Sequence, residues 1–95
     1  MAGYVIADVN VTNASAYEEY RKLVPASIQK YGGKYLVRGG QHERLEGTWT
    51  PSRVVIIEFA SVEQARRWYL SEEYRRAKDI RVRTAVSSVI IVEGV

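Results

Sequence analysis

The chain has 95 residues, with 14 lysines and arginines against 11 aspartates and glutamates, for a formal net charge of +3. That length gives one domain over 1–95 with no linker, since independent domains run to ~100–150 residues. A chain of this size buries only about 60–70% of the surface its unfolded form exposes unless a partner subunit covers more. Cysteine is absent and His42 is the one histidine, which excludes disulfides, thiolate nucleophiles, iron–sulfur clusters and the usual structural zinc sites; no metal and no cofactor are expected.

From Tyr4 to Val11 the residues alternate. Val5, Ala7, Val9 and Val11 form an apolar face and Tyr4, Ile6, Asp8 and Asn10 a mixed one, the period of a strand. Asn13 then offers an N-cap oxygen, and Tyr17, Tyr20, Val24, Ile28 and Tyr31 follow at spacings of three and four, which predicts an amphipathic helix ended by Gly32 and Gly33. Pro25 lies inside that pattern and predicts a kink near Val24. The next apolar stretch, Tyr35-Leu36-Val37, meets Arg38-Gly39-Gly40, where paired glycines predict a bulge or bend before the strand resumes through His42 to Glu46. Gly47 to Ser52 reads as a loop, with Trp49 placed to clamp a partner subunit.

Val54 to Phe59 is apolar on both faces and reads as a central strand. Ser61 and Gln64 form a capping box for a short helix burying Ala65, Trp68 and Tyr69. Ser71 with Glu72 and Glu73 starts a second helical piece through Tyr74, Ala77, Ile80 and Arg81, and Val86 to Val92 supplies the last strand. The order is βαββαβ, an α+β ferredoxin-like pattern with a four-stranded antiparallel sheet and two helical segments on one face. Two helices cover only one face, so a second copy of the sheet is expected on the other, giving a homodimer. No positively charged start leads into an apolar stretch, and no apolar run approaches the ~20 residues that span a bilayer; a cytoplasmic protein without a membrane partner is expected.

The run Gly32 to Gly40, Glu46-Gly47, Val55 to Phe59 with Ser61-Val62-Glu63-Gln64-Ala65, then Trp68-Tyr69, Ser71, Tyr74 and Val92-Glu93-Gly94 resembles the small bacterial proteins grouped as domain of unknown function 1330. The resemblance covers essentially the whole chain and implies a dimeric α+β barrel. That superfamily also holds small cofactor-free monooxygenases, muconolactone-isomerase-like proteins and dye-decolourising peroxidases. The resemblance implies no activity. Relatives that bind haem or insert oxygen rely on a placed histidine, or on asparagine with tryptophan and histidine, and no such constellation matches in this chain.

Four polar residues suggest a site. Strands one and three are expected to run parallel and adjacent, which would let Asp8 and Glu58 approach each other, with Arg38 and His42 on the neighbouring strand. A carboxylate pair in a poorly solvated cleft has at least one raised pKa. Asp8, Arg38, His42 and Glu58 would then line a pocket for a small polar or anionic molecule, Arg38 binding the anion and His42 acting as catalytic base. The alternative is a structural ion pair, Arg38 with Glu58 or Glu46, and an ordinary exposed histidine. Most of the aromatic residues read as core. Tyr17 and Trp68 are the exception, facing one another as ligand-binding residues in the cleft between helices and sheet.

The functions that remain are three: binding or transforming a small organic molecule without metal, in the manner of a monooxygenase or isomerase; a non-catalytic dimeric module; and a nucleic-acid binder. The last rests on the segment from Ser61 to Thr84, where seven basic side chains stand against four acidic ones. A solvated helix face with glutamates in its first turn explains that segment as well, and no aromatic-basic platform or helix-turn-helix pattern accompanies it.

Overall fold

The computed structural model describes residues 1–95. The chain runs β1 (Gly3–Val11), α1 (Ala14–Lys30), β2 (Lys34–Arg38), β3 (Val54–Phe59), α2 (Val62–Tyr69), α3 (Glu72–Thr84) and β4 (Ala85–Glu93). The strands form one sheet in the order β2-β3-β1-β4. Every neighbouring pair in it is antiparallel. The fold is α+β and ferredoxin-like, and none of its helices is long and apolar enough to cross a membrane.

The expected caps account for the helix limits. Asn13 accepts from the backbone of Ala16 at 3.2 Å, and Gly32, at φ +73°, closes α1. The N–H groups of Gly32 and Gly33 bond back to the carbonyls of Gln29 and Ile28, which satisfies the last carbonyls in the left-handed closure that glycine allows. Pro25 does not interrupt the helix. Ser61 accepts from Gln64 N–H at 3.0 Å, but the other half of the capping box is missing: the Gln64 amide donates instead to the carbonyl of Tyr31 at 3.0 Å, tying α2 to the end of α1. Ser71 separates α2 from α3. Its hydroxyl donates to Trp68 O at 2.7 Å and accepts from Tyr74 N–H at 3.1 Å, so α3 starts at the second helical N-terminus that the sequence marks.

The helices pack on one sheet face, against Val5 and Val9 of β1 and Ile57 and Phe59 of β3, all buried. Trp68 and Tyr74, 2% exposed each, fill the centre with their rings 4.1 Å apart. The opposite face carries apolar side chains in the open: on β4 Ile90 is 57% and Val86 68% exposed, with Val92 in the same condition, and Leu36 is exposed on β2 at the other edge.

Two expectations about β2 fail for reasons of register. The strand does not resume through His42 to Glu46; residues 41–50 are all exposed and carry no strand. β3 begins at Val54, and Arg38 already stands opposite Val55, so residues beyond Gly39 have no strand to pair with. The bulge lies earlier than the glycines. Tyr35 pairs with Ile57 and Val37 with Ile56, which leaves Leu36 as the extra residue.

Candidate functional site

The bulge decides where Arg38 goes. Strict alternation from Lys34 would turn Arg38 away from the helices, together with Leu36. One inserted residue reverses that parity, and Arg38 reaches the helix side opposite Val55. Its guanidinium carbon stands 4.7 Å from the centre of the Tyr35 ring, a cation–π contact. Both side chains line a slot between helices and sheet.

The floor of this slot is apolar, made by Ala7, Val9 and Val55, and its roof is Tyr17 and Tyr20 of α1 with Trp68 and Tyr74. The hollow totals about 520 Å³ with its mouth, and only a small part of it is enclosed. That part is tight, which suits a small or thin occupant. Four arginines reach the slot, Arg21, Arg38, Arg53 and Arg81, and no carboxylate lines it. Arg21 pairs with Glu18 at 3.2 Å on the solvent side. Arg38, Arg53 and Arg81 take part in no ion pair.

Arg81 is 6% exposed. Its Nε donates to the Tyr74 hydroxyl at 3.3 Å, and that hydroxyl shares a 2.9 Å hydrogen bond with Tyr20. Arg53 is held by its backbone: Val9 N–H donates to its carbonyl at 2.9 Å, and its own N–H points at Asp8 Oδ1, 3.4 Å away. The guanidinium lies over Gly39, where a Cβ would come within 2.2 Å of Nη1. Gly39 also has φ +70°, so a side chain there meets both strain and collision. Burial raises the pKa of Tyr35 to about 12 although Arg38 pulls it down, and burial likewise raises Tyr20 and Tyr17. These phenols are therefore neutral donors near pH 7. The slot offers cations and hydrogen-bond donors, and no side chain that would act as a base there.

Of the residues singled out in the sequence, Tyr17, Trp68 and Arg38 meet in this slot. Trp68 is anchored by its indole N–H, which donates to Ser27 Oγ at 3.0 Å. Asp8, Glu58 and His42 lie elsewhere. β1 and β3 are antiparallel rather than parallel, with Tyr4 opposite Glu58 and Asp8 opposite Val54. The two carboxylates thus sit four residues apart along the strands, about 13 Å at the rise of an extended chain. Glu58 accepts from the Tyr4 hydroxyl at 3.2 Å and pairs with Lys34 at 3.4 Å, so its ion pair is with Lys34 and not with Arg38. His42 is exposed in the 41–50 segment.

Asp8 holds that segment. It accepts from Ser52 N–H at 2.9 Å and from the Trp49 indole at 3.1 Å, so Trp49 closes on its own chain. The Ser52 N–H first, then Trp49, keep the Asp8 carboxyl below its usual range. A depressed folded-state pKa means that the latch is at full strength above ordinary carboxylate values and weakens as pH falls through the folded pKa. Asp8→Ala should speed proteolytic cutting between Gln41 and Thr50 several-fold at pH 7, and the native chain should show the same increase only once the pH has fallen below the ordinary carboxylate range, through the depressed pKa of Asp8. Equal cutting rates for both chains at pH 7 would mean that Asp8 restrains nothing.

Arg53 and Arg81 were not singled out. Arg53 shares the parity of Val55, Ile57 and Phe59, so alternation alone points it inward. Arg81 lies seven residues after Tyr74 on the buried stripe of α3, although it had been counted with the solvated basic face. The remaining basic surface is partly neutralised, with Arg75 on Glu72 at 3.2 Å and Arg76 on Glu19 at 3.9 Å.

Solved structures share the fold. The RPA0582 protein of unknown function from Rhodopseudomonas palustris is 22% identical, with a TM-score of 0.78 over 99% of this chain and 82% of its own. A dimeric ferredoxin-like protein of unknown function from Jannaschia sp. CCS1 superposes with a TM-score of 0.73 at 9% identity, over 99% and 100% of the two chains. SnoaB, a cofactor-independent oxygenase from Streptomyces nogalater, does so at 0.68 and 14% identity, over 99% and 92%. No protein with a curated description matches the sequence. Residues 2–95 match the family described as Domain of unknown function (DUF1330), and the chain belongs to that family.

Proposed function

We propose that this protein is a homodimer that binds or transforms a small organic molecule, without a metal, in the slot between α1 and the sheet. The observation that carries the reading is the lining: aromatic and aliphatic walls with three arginines free of carboxylate partners. Apolar walls with a few convergent polar groups are the usual build of small-molecule sites. The oxygenase of the same fold makes an oxygenase-like reaction the first chemistry to try, with an isomerase-like one as the alternative. With no base lining the slot, the substrate oxygen would arrive already ionised, and fixed guanidinium groups would hold that charge. Dimerisation is supported by the open apolar face of the sheet and by the dimeric relative.

A thermal-shift panel of small aromatic molecules tests the reading. A ligand at 100 times its Kd stabilises the folded state by about 2.7 kcal/mol, and at least one compound should raise the melting temperature accordingly. Ala7→Leu, which fills the slot from its floor, should remove the shift. A panel without any hit, or a shift that survives Ala7→Leu, would place the ligand elsewhere or nowhere.

A further inference from the structure

The charge in the slot names the class of occupant. Two buried side-chain polar atoms of the protein lack any hydrogen-bond partner, Arg53 Nε and Ser87 Oγ. They fall on one row of the sheet. Arg53 and Ser87 flank Val9 on either side, bonded to it or paired with it across the neighbouring strands, and Val9 is part of the slot floor. Buried donors are nearly always paired in a finished structure, so an orphaned guanidinium nitrogen beside an apolar slot points to a group that the chain itself does not supply. That group must be an acceptor, and beside three unpaired guanidinium ions an anionic acceptor is favoured over a neutral one.

We propose that the occupant is a flat conjugated molecule carrying one carboxylate or one delocalised oxyanion, and that Arg53 is the residue that binds its charge. This rests on the slot being the ligand site. The narrowness of the enclosed part selects planarity, and the rings of Tyr17 and Trp68 give a conjugated body its contact area. Arg53 supplies a planar fork that matches a carboxylate. Asp8 positions it through the backbone of residues 52 and 53, and Gly39 leaves the space in which the guanidinium lies.

Calorimetric titration with trans-cinnamate and with its neutral near-isostere trans-cinnamamide, at pH 7.5, tests the proposal. Cinnamate should bind at least ten-fold more tightly than the amide. Arg53→Met, checked for folding by circular dichroism, should lose that ten-fold for cinnamate and leave the amide within two-fold, while Arg66→Met on the exposed face of α2 should change neither. Equal affinity of the two compounds for the native protein overturns the anion assignment whatever the variant does, and leaves the slot as a site for neutral molecules. Unchanged cinnamate binding by folded Arg53→Met removes Arg53 from it. Binding of neither compound at millimolar concentration overturns this proposal together with the reading of the slot as a ligand site.

Discussion

Trp68→Ala should destabilise the protein by about 3–5 kcal/mol, the range for removing a buried aromatic side chain. Trp68 is 2% exposed, stacks within 4.1 Å of Tyr74 and 5.4 Å of Phe59, and ties α2 to α1 through Ser27. Truncation would open a void between helices and sheet and leave the Ser27 hydroxyl with only its bond to Val24 O. Total stabilities of small domains are about 5–15 kcal/mol, so one substitution would remove a large share. Trp68→Phe keeps most of the packing and should cost much less. Urea unfolding at fixed protein concentration reads both, because the proposed dimerisation would make stability depend on concentration. A loss below about 1 kcal/mol for Trp68→Ala would mean that this ring is not the centre of the core.

The second large effect concerns assembly. If the open sheet face is the interface of the proposed dimer, Ile90→Glu should turn that dimer into monomers at micromolar concentration. Ile90 pairs with Ile6 across β1 and β4 and points, 57% exposed, from the sheet face that no helix covers. In a two-fold pair of sheets each protomer would bring the same new carboxylate into an apolar interface. Arg66→Glu, on the helical side, should leave the dimer intact. Sedimentation velocity distinguishes the species. A native protein that is already monomeric, or an Ile90→Glu protein that still dimerises, would show that this face is not the interface.

Much of the fold was legible because it depends on local chemistry. Asn13, Ser61 and Ser71 cap the helices they were expected to cap. The alternation in β1 marked which of its residues face the helices, and the doubly apolar run in β3 marked a central strand. What escaped depends on pairing between distant segments. The side of the sheet on which Arg38 emerges follows from Leu36 being unpaired against β3, and nothing in the composition of Tyr35-Leu36-Val37 marks that position. Gly39-Gly40 drew the bend to itself, whereas glycine's freedom is used at Gly39 for a turn and for the approach of Arg53.

The candidate site divides along the same line. Tyr17 and Trp68 were found because helical spacing puts both on buried faces. The pocket of Asp8, Glu58, Arg38 and His42 required parallel strands, and the antiparallel register sends the two carboxylates to opposite ends of β1. Arg81 fell on the stripe of Tyr74, Ala77 and Ile80, but its charge was read only as part of the basic segment, because helical phase says nothing of what a guanidinium meets. A buried guanidinium without a carboxylate is a cost to the fold, so Arg81, 6% exposed, is a poor choice for stability alone. The proposed ligand would offset part of that cost.

The most direct measurement is the NMR resonance of the Arg53 Nε–H, followed as trans-cinnamate is added. A new hydrogen bond to an anionic oxygen moves such a proton downfield, and the shift should saturate with the binding isotherm and fail to appear with trans-cinnamamide. A resonance that stays in place while cinnamate binds would contradict the account, because the charge would then be met by another group.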